Sequence, residues 1–128
     1  MSRIGAGLLL LAGLERGDDE GVVQRLLQRL LAYRVFADGA GRMNLSVADV
    51  RGDILLVPQF TLAADTSRGR RPSFSSALPP DAAEPLAAFC FSYLERQYTE
   101  GRVAGGVFGA DMQVSLINDG PVTFLLSS

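Results

Sequence analysis

Residues 4–15, IGAGLLLLAGLE, constrain the possible folds of this chain more than any other stretch. The stretch is apolar at nearly every position and bounded by glycine. It therefore reads as a buried strand and not as a half-exposed, alternating one. Such a strand normally sits inside a sheet, with neighbours on both sides, and needs other elements to cover it. The rest of the chain must supply both.

Two helices offer the cover. Asp18, Asp19 and Glu20 supply caps and favourable charge for a helix N-terminus. In the following VVQRLLQRLLAYR, the pairs Val22/Val23, Leu26/Leu27 and Leu30/Leu31 recur every four residues, with Arg25 and Arg29 off the stripe. A D-x-x-E pattern, Asp81 with Glu84, is expected to cap a second helix with Leu86, Phe89, Cys90, Tyr93 and Leu94 on one side. Further strands are expected at 53–63, DILLVPQFTLA, which contains one awkward proline, Pro58, and in the final runs MQVSLI and VTFLLS. DGAGRMNLS and the glycine-rich residues 101–109 read as connections, and DTSRGRRPSFSSALPP as a long polar loop. The predicted order is β-α-β-α-β-β. This is an α/β arrangement (α+β layers), a sheet covered by two helices, in one domain spanning residues 1–128.

Bulk composition narrows the function. Of 128 residues, 48% are hydrophobic and 20% charged, which suits a packed globular chain rather than a disordered one. The formal net charge of −2 provides no global field to draw the chain to nucleic acid or membrane. The apolar run at residues 8–12 is far too short to span a bilayer. The N-terminus lacks a clear small-residue cleavage site, and a cytoplasmic protein is the expectation.

The absences exclude more. There is no His and no Lys, and Cys90 is the single cysteine. Ser-His-Asp and Cys-His chemistry, His-ligated or four-thiolate zinc, and lysine Schiff bases are all ruled out. No metal or other cofactor is expected. Gly5 and Gly7 precede their strand and lack a third glycine at the required spacing, so they form no dinucleotide fingerprint. Cys90 falls on the apolar helix stripe and reads as a small core residue. What remains is hydroxyls, amides and backbone. Gln59, Phe60 and Thr61 lie at the end of a strand, where a packing role and a chemical one are both open. Arg68, Arg70 and Arg71 form a small basic cluster, either a solvated loop or a phosphate contact. In Asn118-Asp-Gly-Pro-Val-Thr123, a flexible Gly120 is followed at once by a rigid Pro121 where a strand should begin. That pair either trims a turn or holds a special peptide geometry that is used.

Together these segments resemble the D-aminoacyl-tRNA deacylase family. The resemblance rests on Pro58-Gln-Phe-Thr-Leu-Ala63 and Asn118-Asp-Gly-Pro-Val-Thr123. It is supported by IGAGLL, GRMNLS, the RGRRPSFS segment and ADMQVSL, and covers essentially the whole chain. It implies hydrolysis of the ester joining a D-amino acid to the 3′ end of tRNA, with glycyl-tRNA also accepted. It implies a cis Gly120–Pro121 peptide that rejects L-aminoacyl-tRNA from the site of the partner subunit, and hence a homodimer. Gln59, Phe60 and Thr61 would form the catalytic segment, and Arg68, Arg70 and Arg71 would touch tRNA, with no role for DNA or a membrane. This sequence departs from the family in two respects. Pro58 replaces a usual serine, and family members usually carry about two more strands before IGAG. The departures keep two alternatives in play, an inactive truncated paralogue and a small non-catalytic binding module.

Overall fold

The computed structural model describes residues 2–120 and 122–128. Strand β1, Gly7–Ala12, lies parallel to strand β4, Asp53–Pro58, in register from Gly7 opposite Asp53 to Ala12 opposite Pro58. Strand β5, Val103–Gly105, lines the other edge of β4, also parallel, giving the order β1-β4-β5. Parallel neighbours cannot be joined by a tight turn, so each pairing is closed by a crossover that contains a helix. Helix α1, Glu20–Ala32, lies between β1 and β4, and helix α2, Pro80–Gln97, between β4 and β5. A two-stranded antiparallel hairpin, β2 (Phe36–Ala37) and β3 (Met43–Leu45), sits in the first crossover. The α/β class, a sheet covered by two helices, is as the sequence predicts, and the three-stranded sheet is parallel.

The helices pack against each other and onto one face of the sheet. Ile54 and Leu56 point from β4 into that core, and Leu8, Leu10 and Ala12 flank them from β1. Val23 and Leu27 meet them from α1, and Leu86, Cys90, Tyr93 and Leu94 from α2. On the opposite face Leu11 remains 42% exposed. Among the described residues, no helix is long and apolar enough to cross a membrane.

Several local readings change. Among the described residues, the apolar stretch forms a sheet edge, while β4, expected as an ordinary strand, is the centre. Strand β4 ends at Pro58, and Phe60–Ala63 turn into a 3₁₀ helix instead of extending the strand. Pro58 has no N–H to offer on the β5 side, and on the β1 side the Gln59 N–H makes the last bond, to Ala12 O (2.7 Å). The glycine-rich 101–109 segment contains β5, and the DGAGRMNLS connection contains part of the β2–β3 hairpin. There the Asp38 carboxylate accepts the N–H groups of Ala40 (2.9 Å) and Arg42 (3.0 Å). Helix α1 starts as expected, with Asp19 Oδ1 accepting the Val22 N–H at 2.9 Å. Helix α2 instead starts at Pro80, whose missing N–H would have had no helical partner anyway, and Asp81 lies inside the first turn rather than capping it. The two final strands do not form: residues 111–118 and 122–128 carry no strand. Among the described residues, no backbone–backbone hydrogen bond joins these segments to each other or to the sheet. A lone pair of strands is marginal in water without further partners.

A buried tyrosine ties the second crossover to the end of the first. The Tyr98 hydroxyl, just past α2, lies against the carbonyls of Val47 (3.0 Å) and Gly52. Burial pushes its phenol pKa up, so it remains a donor. We expect Tyr98→Phe to leave these two carbonyls without that donor and to cost about 1–2 kcal/mol. The check is thermal unfolding, with a midpoint lowered by roughly 3–8 °C.

At the head of the sheet, the Asp53 carboxylate accepts the N–H of Arg102 (2.8 Å) and the N–H of Gly5 (3.2 Å). These bonds hold its pKa below the ordinary 3.8, against a smaller opposing effect of desolvation. The ionised form is therefore favoured in the folded state. Its contribution is complete above the ordinary value and is lost as pH falls through that value towards the lower folded one. Asp53→Asn should lower stability near neutral pH and flatten its acid dependence, as read from unfolding midpoints over a pH series.

Candidate functional site

The residues of greatest chemical interest sit where β4 ends. Strand β4 ends at Pro58, and the chain drops into the 3₁₀ turn Phe60–Ala63, with Leu62 N–H bonded to Gln59 O (3.2 Å) and Ala64 N–H to Thr61 O (3.2 Å). The first donors of such a turn have no acceptor within it. Among the described residues, the N–H groups of Phe60 and Thr61 have no protein acceptor. They lie side by side on an exposed part of the chain.

Gln59 Nε2 donates to Thr61 Oγ1 at 2.5 Å. That bond uses a lone pair of the hydroxyl and leaves its proton free to point elsewhere. Thr61 is thus arranged as an outward donor. With no histidine or lysine in the chain, nothing nearby is suited to remove its proton.

The turn is held from behind by the 65–78 loop. Ser76 Oγ donates to Ala63 O at 2.8 Å, and the rings of Phe60 and Phe74 stand 5.2 Å apart at a tilt of 50°. Arg16 fastens the same loop: its Nε donates to Ser75 O (2.7 Å) and its N–H to Ser76 O (2.9 Å). Sequence reading passed over Arg16, Phe74 and Ser76. Arg16 is distant along the chain and looks like any solvated charge, and the serines look like loop filler.

The arginine cluster has a defined base. Asp65 and Ser73 pair through two backbone bonds, Asp65 N–H to Ser73 O (2.7 Å) and the reverse (2.9 Å). Arg68, Arg70 and Arg71 project from the loop so closed, and all three are exposed. The Asp65 carboxylate accepts the Ser67 N–H at 2.9 Å, and hydrogen bonding to Ser67 holds its pKa below the ordinary carboxylate value.

In the 118–123 segment, Asn118 Oδ1 accepts the Val122 N–H (3.0 Å) and its Nδ2 donates to Thr123 Oγ1 (3.0 Å). Gly120 has φ +140°, a value that L side chains rarely adopt. The expected cis peptide falls on Pro121, which lies outside the described residues. Among those residues, no hydrogen bond joins this segment to Gln59, Phe60 or Thr61. The structure thus brings Gln59, Phe60 and Thr61 together, sets the arginines on the adjoining loop, and keeps Gly120 on a separate segment.

Two concavities, of about 370 and 280 Å³, lie elsewhere, one against the outer face of α1 and one between the starts of α1 and α2. The Phe60–Thr61 ledge contributes to neither. Among the described residues, no group of three or more His, Cys, Asp or Glu side chains is placed to hold a metal ion. Cys90 is buried in the core, and burial pushes its thiol pKa up to about 11. It is neither exposed nor ionised.

Comparison with known proteins places this geometry in context. The profile of the D-Tyr-tRNA(Tyr) deacylase family matches residues 1–127. A D-aminoacyl-tRNA deacylase of Nitrosococcus oceani is 56% identical, over 98% of this chain and 80% of its own length. One from Xanthomonas axonopodis pv. citri is 57% identical, over 98% of this chain and 86% of its own. The solved structure titled c-Myc DNA Unwinding Element Binding Protein superposes with a TM-score of 0.91 at 36% identity, covering 98% of this chain and 84% of that one. A probable eukaryotic D-amino acid tRNA deacylase shares the fold, with a TM-score of 0.69 at 17% identity over 84% of this chain and 77% of that one. With a profile match along almost its full length and relatives more than half identical to it, the chain belongs to the D-Tyr-tRNA(Tyr) deacylase family.

Proposed function

We propose that this chain is a hydrolase that cleaves the ester bond of D-aminoacyl-tRNA, releasing tRNA and the D-amino acid, and that it also accepts glycyl-tRNA. Family membership over residues 1–127 carries the reading, and the sequence holds Gln59, Phe60, Thr61, Gly120 and Pro121 within that span.

The ester is already activated, so the protein's task is to position it and stabilise charge. Water adds to the ester carbonyl, the carbon–oxygen bond to the ribose breaks, and the ribose oxygen takes up a proton. The adjacent N–H groups of Phe60 and Thr61 are suited to the oxyanion that develops on the carbonyl. The Thr61 hydroxyl, held by Gln59, donates to the carbonyl or to the attacking water. The ribose 2′-hydroxyl of the substrate assists, which makes the RNA part of the catalyst. Arg68, Arg70 and Arg71 meet phosphates of the tRNA acceptor end, which guanidinium forks match well.

Selection works by exclusion. Gly120 and Pro121 of the partner subunit direct their carbonyl oxygens at the substrate's α-amino group. An L side chain then collides with them, while a D side chain points away and glycine presents nothing to collide. The unit of activity is a homodimer in the cytoplasm. The final segments support it: Leu116, Ile117 and Leu125 are 56%, 94% and 82% exposed, an apolar surface that a monomer seldom leaves in water. The open ledge at Phe60 and Thr61 is likewise suited to completion by a second chain.

If Thr61 positions rather than attacks, Thr61→Ala should lower the single-turnover rate on D-aminoacyl-tRNA by on the order of 10²–10³-fold without abolishing it. A substrate ending in 2′-deoxyadenosine should lose a comparable amount, and rapid quench should trap no acyl-enzyme. An ester trapped on Thr61, or a deoxy substrate cleaved at the normal rate, would overturn this assignment of the chemistry.

Activity per chain should also fall as dilution drives the protein to monomer, followed by sedimentation alongside the rate. Full activity in a monomeric population would rule out a site shared between subunits.

A further inference from the structure

The turn that carries Gln59, Phe60 and Thr61 is docked on the sheet at one peptide unit. Ala12 O, the last carbonyl of β1, accepts the Gln59 N–H at 2.7 Å. The next residue, Gly13, lies directly beneath the turn. A Cβ placed on it would stand 2.7 Å from Leu62 Cβ, 3.3 Å from Gln59 O and 3.4 Å from Ala63 N. Real Cβ atoms essentially never approach another atom closer than 3.0 Å. Leu62 Cβ is fixed to the main chain and cannot rotate away, so relief requires the turn itself to move.

Gly13 is not among the residues with positive φ. Its backbone conformation is therefore open to any residue, and the need for glycine at this position is steric. Nor does the contact serve the core: Leu62 is 47% exposed and Phe60 61%. On its far side the turn is held by Ser76 and Phe74. It cannot retreat from an added methyl without disturbing those contacts.

We infer that Gly13 is a positioning residue for the site: by leaving no side chain beneath Leu62, it sets how deeply the 59–63 turn seats against the end of β1. It thereby places the N–H groups of Phe60 and Thr61 and the Thr61 hydroxyl. The inference rests on the deacylase reading for its catalytic consequence, though not for its geometric one. Displacements of about 1 Å in a positioned group reach on the order of 10²-fold in rate.

The test uses the full chain with Gly13→Ala. We expect a folded protein with kcat on D-aminoacyl-tRNA reduced by roughly 10–100-fold and KM nearly unchanged. Amide chemical shifts should change chiefly at residues 59–63. Adding Leu62→Gly removes the opposing Cβ and should return both kcat and the shifts towards the parent. Unchanged kcat and shifts in folded Gly13→Ala would overturn the inference. So would shifts spread through the sheet, or a double variant no better than the single. If Gly13→Ala does not fold, recovery of folding in the double variant supports the contact, and failure of both overturns it. If the parent chain shows no deacylase activity, the functional reading fails on its own. The amide shifts and their reversal then still decide whether Gly13 seats the turn.

Discussion

One carboxylate holds the heads of all three parallel strands. Asp53 opens β4, and its two oxygens accept N–H groups from the chain entering β1 and the chain entering β5. Its own N–H bonds to Ala6 O (2.9 Å), and the Ile54 N–H to Arg102 O (2.8 Å). The strands can come this close because glycine lies opposite: a Cβ on Gly7 would stand 1.9 Å from Asp53 O. A parallel ladder has slanted bonds and no hairpin to fix its register, so an anchor at one end has long leverage. A slip of one residue would exchange Ile54 and Leu56 for Leu55 and Val57 on the helix-covered face. The register fixed at Asp53 runs six residues to the pair Ala12–Pro58, and there it delivers the turn.

The site is thus a product of strand endings. β4 and β1 stop at the same level, at Pro58 and Ala12, and the 3₁₀ turn rests on the step they leave. Its outward groups owe little to the hydrophobic core and much to a few hydrogen bonds from loops. That division is common where catalytic groups ride on loops held by a rigid scaffold.

Legibility in the sequence followed the range of each signal. Helix α1 was readable because its stripe and its Asp19 cap are both local, and the core positions Val23, Leu27 and Leu30 lie on that stripe. The buried side of α2 was readable for the same reason, although its D-x-x-E pattern suggested the wrong start. Strand β5 was hidden, since Val103–Gly105 is short and glycine-bearing and has strand character only beside residues 54–56 of β4. MQVSLI and VTFLLS were convincing strands by composition, but composition cannot supply a ladder partner. Within the site, Gln59, Phe60 and Thr61 were singled out as chemically able residues. That they curl into a turn, bonded side chain to side chain, followed from Pro58 and from the Gly13 step, two positions that pattern alone does not connect.

The parallel sheet also dictates an order of events during synthesis. The pairing of β1, with its four consecutive leucines, to β4 can form only after α1, the small hairpin and β4 have emerged from the ribosome. β5 waits in turn for α2. Contacts between distant parts of the chain form slowly, and apolar segments left unpaired meanwhile are open to association with other chains. α1, with its own cap and an amphipathic stripe, is the nearest element able to shelter those leucines in the interval. Its early formation would therefore protect the nascent chain as well as complete the finished core.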